Sequence, residues 1–406
     1  MFNVFCRVFQ FIFNYGALLL PWRKAFPAEG PGSIRNIPEL LKKNKVKKPL
    51  LVTDNGLVKA GIVQKVIEIL VNAQFAYVLF SDVESNPSIN TIDKIQNLYL
   101  ESGCDGLIAL GGGSSIDAAK GAGARIVRPK KSVNQLGGLL KVFRKLPFFI
   151  AIPTTAGTGS ETTIAALITD TDTHHKYAIM DLNLIPNFAI LDSELTVGLP
   201  PAITAATGMD ALTHAVEAYL CWTYNTKESK RFALDAVKLI FANIEKAYAD
   251  GSNIEARQAM LAASYKAGFA FTRAGVGNIH AIAHTLGGLY NTPHGLANAV
   301  ILPVVLEDYG RKAHKKLALL ADSAGLIANG NKKTKTKAEK AQIFIEAIYT
   351  MNKRMGLPKG FDCIKDEDIP KMIKWADKEC NPLYPVPVIY NKKRFYTIIK
   401  KLMENN

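Results

Sequence analysis

The chain has 406 residues, enough for two or three domains with buried cores. Hydrophobic residues make up 48% and charged residues 21%, which excludes a disordered or low-complexity chain. Lys+Arg 50 against Asp+Glu 35 gives a net charge of +15, which does not choose by itself between nucleic acid, a membrane surface and anionic small molecules.

Five cysteines (Cys6, Cys104, Cys221, Cys363 and Cys380) are widely spaced, with no C-x-x-C. That argues against a disulfide framework or a zinc–thiolate site and for a reducing, cytoplasmic setting. Residues 1–28 read as an apolar leader or docking helix. Met1 to Leu20 carry one charge, Arg7, and the first acid of the chain is Glu29. A secretory signal fits poorly, because Gln10 and Asn14 interrupt the apolar run. A membrane span is marginal at this length. The Phe side chains, Tyr15, Trp22 and the flanking Arg23-Lys24 fit an interfacial helix better. Such a helix packs on its own body or a second subunit, or touches a membrane.

Residues 49–54, 76–80, 105–110 and 148–153 read as buried strands, with helices over 61–72, 92–102 and from Ile116. Residues 177–180 and 188–191 read as further short strands. This alternation predicts a Rossmann-like, mostly parallel α/β domain over 29–197. Past Gly198-Leu-Pro-Pro201 the chain becomes rich in Ala, Leu and Lys, with helices over 202–220, 227–248, 254–272 and 341–355. Residues 198–406 therefore read as an all-helical domain. The basic stretch 330–340 reads as a surface connection.

Gly111-Gly112-Gly113-Ser114 lies between a buried strand and a helix, where backbone without Cβ approaches a phosphate closely. The G-x-G-x-x-G and G-K-[ST] patterns both fail here, and a tight turn explains the glycines equally well. Thr154-Thr155-Ala-Gly-Thr158-Gly-Ser160 is a second hydroxyl- and glycine-rich loop after a strand. Two such loops on one sheet edge favour a dinucleotide pyrophosphate. Asp54 ends the first strand, where an acid accepts bonds from ribose hydroxyls and repels a 2′-phosphate, favouring NAD over NADP. It is otherwise simply a loop acid before Gly56.

Asp210 and His214 stand four residues apart, as do His280 and His284, which places each pair on one helix face. His294 follows in Pro293-His294-Gly295. Burying these groups in Ala-rich helices without partners costs several kcal/mol, roughly, and a shared metal offsets that cost. One carboxylate with imidazoles suits Fe(II) or Zn(II), and ligation without cysteine argues against structural zinc. His174, His175 and His314 have polar neighbours and read as surface residues. The two halves together suggest a dinucleotide site facing a metal site across a cleft, and hydride transfer to or from a small alcohol.

Gly111-Gly-Gly-Ser114…Asp117…Lys120, Pro153-Thr-Thr-Ala-Gly-Thr-Gly-Ser-Glu161, Gly208-Met-Asp-Ala-Leu-Thr-His-Ala-Val-Glu217 and His280-Ala-Ile-Ala-His284…Pro293-His294-Gly…Asn298 carry a family resemblance. Over residues 30 to 400 the chain resembles the iron-containing (group III) alcohol dehydrogenases. The resemblance implies NAD as cofactor and Asp210, His214, His280 and His294 as ligands of Fe(II), with Zn(II) the alternative. It puts Gly112, Gly113 and Ser114 on the pyrophosphate, with Gly111 among the cofactor-binding residues. Asp117, Thr154, Thr155 and Thr158 come near the cofactor, and Lys176 reaches the nicotinamide-side ribose. His284 would act beside nicotinamide and substrate as the catalytic residue, and Phe271 would wall the substrate pocket. A homodimer follows from the resemblance alone.

Three rivals stand beside this reading. A glycerol-type dehydrogenase or a dehydroquinate-type synthase would use zinc on the same fold. A nucleic-acid binder would need aromatic–basic interleaving or a helix-turn-helix, and neither is present. A membrane-associated scaffold on a dead enzyme fold would lack turnover.

Overall fold

A computed structural model describes residues 1–170, 175–328, 330 and 334–404. Two compact units divide the chain: Pro21–Val197, and Gly198–Asn406 together with Met1–Leu20. Helix α1 (Phe2–Leu18) thus belongs to the second unit.

The first unit carries β1 (Phe26–Glu29), α2 (Ile37–Lys43), β2 (Pro49–Val52), α3 (Asn55–Lys59), α4 (Ile62–Asn72), β3 (Val78–Phe80) and α5 (Ile89–Glu101). Then come β4 (Gly106–Gly111), α6 (Gly113–Val127), α7 (Val133–Leu136), β5 (Gly138–Leu139), β6 (Phe148–Pro153), β7 (Ala165–Asp170), β8 (His175–Met180) and β9 (Phe188–Leu191). Six strands form one sheet in the order β1-β9-β6-β4-β2-β3, with every pairing parallel. Strand residues alternate between two cores: Leu50, Val52, Leu107 and Ala109 face one, and Leu51, Ile108, Leu110 and Ile150 the other. Continuous apolar strands covered on both faces are what a parallel sheet requires.

Several elements of this unit differ from the sequence reading. Helix α5 begins at Ile89 because Ser88 caps it through the Thr91 N–H. Strand β1 overlaps the end of the segment read as a leader; its Pro27 and mostly exposed side chains suit an edge strand pairing only with β9. Residues 177–180 sit in β8, which joins a separate sheet of order β5-β8-β7.

The second unit adds α8 (Pro201–Leu220), α9 (Lys227–Ala249), α10 (Ile254–Ala274), α11 (Asn278–Tyr290), α12 (His294–Tyr309), α13 (His314–Ser323), α14 (Lys337–Arg354), α15 (Ile369–Cys380) and α16 (Lys392–Glu404). Gly208 lets α8 lie close to α9 and α10: a Cβ there would sit 2.7 Å from Ile244 Cδ1 and 2.9 Å from Met260 Cε. Helix α14 starts four residues before the predicted Ala341, because Thr336 and Glu339 form a capping box. Residues 329 and 331–333 of the basic stretch, and His174, lie outside the described residues. His314 opens α13 half-buried rather than exposed. Among the described residues no helix is long and apolar enough to cross a membrane.

Asp192 fastens the sheet edge. Its carboxylate is fully buried and accepts the N–H groups of Gly32 (2.9 Å), Ile34 (3.0 Å) and Glu194 (3.1 Å). Asp192→Ala orphans all three and should destabilise the protein by about 2–4 kcal/mol. A urea midpoint equal to that of the parent would refute this.

Candidate metal centre and nucleotide loops

Helix α8 presents Asp210, His214 and Glu217 at i, i+4 and i+7, on one buried face. Helix α11 contributes His280 and His284, and α12 opens with His294. Ligand atoms of Asp210, His214, His280 and His294 all lie within 4.8 Å of one another. Asp210 Oδ1 stands 3.4 Å from His294 Nε2 and 3.8 Å from His280 Nε2, and Oδ2 stands 4.0 Å from His214 Nδ1. Metal–ligand bonds of about 2.1 Å put neighbouring ligand atoms roughly 3–3.5 Å apart, so one first-row ion fits this set with slight closure.

Gly295 makes the approach possible. A Cβ at this position would collide with the Ala206 carbonyl on α8, and its nearest side-chain atom is Asp210 Cβ at 3.3 Å. Only glycine lets α12 start this close to α8.

A shell of partners orients the ligands. Glu217 Oε2 lies 2.6 Å from His280 Nδ1, and the Glu217 carboxylate also accepts the Gly277 and Ile279 N–H groups. Burial pushes the Glu217 carboxyl up to about 8, against the pull of those backbone groups. Burial, then the neighbouring imidazoles of His214, His294 and His284, hold His280 well below the usual histidine range. A neutral His280 with its Nδ1 turned to Glu217 aims Nε2 at the ligand cluster. Asn298 Nδ2 donates to Asp210 Oδ1 at 2.7 Å and lies 3.1–3.2 Å from Nε2 of His294 and His280.

Phe271, in the last turn of α10, stacks on the His214 ring at 4.1 Å and 15°. His284 stacks on His294 at 5.2 Å, and its Nδ1 is 2.7 Å from Glu379 Oε1. Burial alone would lower the His284 imidazole; the Glu379 carboxylate outweighs it and raises the pKa. Tyr384 donates to the same Glu379 oxygen at 2.8 Å. The sequence reading gave no role to Glu217 or Asn298, although both lie in its motif segments, and missed Glu379. Spacing signalled two of them, since Glu217 continues the Asp210–His214 face and Asn298 follows His294 by four. Glu379 is 95 residues from His284 and carries no local signal.

In the first unit the glycine run and the hydroxyl loop end adjacent strands β4 and β6. Helix α6 begins at Gly113, three residues before the predicted Ile116, with Gly112 as its N-cap. The run is therefore itself the helix N-terminus, where free N–H groups and the dipole favour an anion. Thr154 N–H donates to the Gly111 carbonyl at 3.0 Å. A Cβ on Gly112 would lie 3.5 Å from Thr155 Oγ1, and one on Gly113 would press Thr158 Oγ1 at 3.0 Å. This close-packed backbone fits a pyrophosphate. Ser114 Oγ donates to the Ser85 carbonyl. Asp54 caps α3 through Leu57 N–H at 3.0 Å, while its second oxygen lies 3.5 Å from Ser115 Oγ at the carboxyl edge of the sheet. The loop-acid reading is thus realised, with Asp54 as the N-cap of α3.

Asp117 is buried on α6. It accepts from Ser160 Oγ at 2.5 Å and Leu167 N–H at 3.0 Å, so its carboxylate is spent on holding β7 and the hydroxyl loop. Lys176 lies on β8 opposite Thr169, and its side chain lies outside the described residues.

A parallel sheet with phosphate-type loops and a buried Asp-His-His-His centre define a metal- and dinucleotide-dependent oxidoreductase. Two family models match the chain: iron-containing alcohol dehydrogenase over residues 28–193, and the C-terminal part of the same family over 204–403. The 1,3-propanediol dehydrogenase of Klebsiella pneumoniae is 39% identical over 357 residues, covering 87% of this chain and 90% of that protein. The NAD-dependent methanol dehydrogenase of Bacillus methanolicus is 37% identical, covering 86% and 90%. A crystal structure of 1,3-propanediol oxidoreductase superposes with a TM-score of 0.89 at 35% identity, covering 95% of this chain and all of that one. The chain belongs to the iron-containing alcohol dehydrogenase family, with NAD and iron as its cofactors, and it interconverts an alcohol and its carbonyl compound. The zinc-using polyol alternative is not favoured.

Removing the carboxylate that orients His280 should weaken the metal without unfolding the helix. Glu217→Gln should lower metal affinity about 10–100-fold in chelator competition. Parental affinity in that variant would show that Glu217 does not position the ligand.

Proposed function

We propose that this chain transfers hydride between NAD(H) and a small primary or secondary alcohol or its carbonyl partner, with Asp210, His214, His280 and His294 holding the metal. The observation that carries this reading is the convergence of those four ligand atoms within 4.8 Å in apolar helices. Bound iron would act as a Lewis acid on the substrate oxygen. Bound NAD would accept the hydride, so that alcohol and NAD+ give carbonyl, NADH and a proton.

The chain's own residues bind, orient and move the proton. Gly111 to Ser114, with Thr154, Thr155 and Thr158, hold the pyrophosphate through backbone N–H groups and hydroxyls. Asp54 accepts from the adenosine-side ribose, and Lys176 contacts the ribose of the nicotinamide. Glu379 fixes the His284 ring through Nδ1, leaving Nε2 to hold or pass on the substrate proton. Phe271 supplies an apolar wall beside His214. The named relatives act on short alcohols, which supports a small substrate. The chain is further proposed to work as a homodimer in the cytoplasm; its five free cysteines, four of them buried, suit a reducing compartment.

The decisive test is NADH oxidation by iron-loaded and chelator-stripped protein across short aldehydes and ketones. Turnover should require iron, and His280→Ala should lose both metal and turnover. Activity that survives stripping would sink the assignment. Asp54→Ser keeps a capping oxygen but drops the charge, so it should lower the ratio of kcat/KM for NAD over NADP at least several-fold. An unchanged ratio would remove Asp54 from the ribose site.

A further inference from the structure

Three hydrogen bonds run from the N-terminal helix to His284. Gln10 on α1 is fully buried, and its amide donates to the Tyr384 carbonyl at 2.8 Å and to the Pro382 carbonyl at 2.9 Å. Tyr384 donates its hydroxyl to Glu379 Oε1 at 2.8 Å, and that same oxygen lies 2.7 Å from His284 Nδ1. All four residues belong to one compact unit.

The links differ in what fixes them. Glu379 and His284 stand on α15 and α11, so helices set their backbones. Their side chains are 31% and 37% exposed, and a carboxylate in that setting keeps its rotamer freedom unless a second group pins it. Tyr384 is that second group, yet it lies in the irregular segment between α15 and α16, where no helix ladder places it. Its N–H donates to the Cys380 carbonyl at 2.8 Å, and its carbonyl takes the Gln10 amide. Gln10 is itself held from both ends. Its oxygen accepts from Trp222 Nε1 at 2.6 Å and from Arg7 at 3.0 Å, so the amide cannot turn over without breaking these bonds as well. Helix α1 lies outside residues 28–193 and 204–403, which the two family models match. The outer end of this strut is thus supplied by a segment that neither model covers.

We propose that α1 is a positioning element for His284: Gln10 sets Tyr384, Tyr384 pins Glu379, and Glu379 holds the imidazole in one orientation. This rests on the reading of His284 as the group that holds or passes on the substrate proton. Tyr384→Phe and Gln10→Leu would be made in the iron-loaded full-length protein and assayed by NADH oxidation with a short aldehyde. Each should lower kcat roughly fivefold, with KM and bound iron at parental values. Gln10→Asn keeps an amide but draws it back by one methylene, and it decides the matter if Gln10→Leu does not fold. In a Glu379→Ala background the same substitutions should cost less than about twofold, because the link they act through is gone. Equal losses in both backgrounds would mark a merely structural effect and overturn the proposal, as would parental kcat in Tyr384→Phe or in the Gln10 variants. Parental kcat in His284→Ala would instead remove the proton role beneath it. A crystallographic comparison needs no turnover: the His284 ring should take one orientation in the parent and more than one in Tyr384→Phe. A single parental orientation in that variant would overturn the proposal whatever the kinetics.

Discussion

The metal centre depends on one steric constraint, the approach of α12 to α8. Asp210 and His214 are fixed by α8 alone, but His294 reaches them only because Gly295 lies against the Ala206 carbonyl with no space for a Cβ. Any side chain at 295 would push the start of α12 outward and take His294 with it. The centre is thus set by backbone proximity first and by ligand chemistry second. Burying an acid among three imidazoles is costly without a cation, so the packing presupposes the ion it admits.

The same logic explains what was readable from the sequence. Groups spaced by four on one helix, such as Asp210–His214 and His280–His284, announce a shared face, because helix geometry is local. The alternation of Leu50, Leu51 and Val52 between two cores is equally local, and it marked the buried strands. Glu379 was invisible because its pairing with His284 joins α15 to α11 across 95 residues. Strand β1 was invisible for another reason: an edge strand containing Pro27 needs only one neighbour, so it lacks the apolar run that betrays a central strand. The internal partners of Asp117, Ser160 Oγ and Leu167 N–H, were equally invisible, because they lie 43 and 50 residues away.

Asp117 and Lys120 are one helical turn apart on α6, both buried, and both spend their polar atoms on the segment after the hydroxyl loop. Lys120 Nζ donates to the carbonyls of Ser160, Thr163 and Ala165. Burial lowers this ammonium to about 8, while Asp117 and Glu161 raise it. The first turn of α6 carries N–H groups with no partner within the helix, and the next turns hold the second loop in place.

Helix α1 is tied to the metal centre by a short chain of contacts. Its Gln10 and Arg7 grip the carbonyls of residues 382–387. The far side of that segment faces α11: a Cβ on Gly277 would sit 3.1 Å from Val386 Cγ1 and 2.6 Å from Glu217 Oε1, and Asn278 Nδ2 donates to Val388. Gly277 N–H is also one of the donors that hold Glu217 against His280. The segment between α15 and α16 is thus clamped from outside by α1 and presses from inside on the start of the helix that carries two of the site histidines.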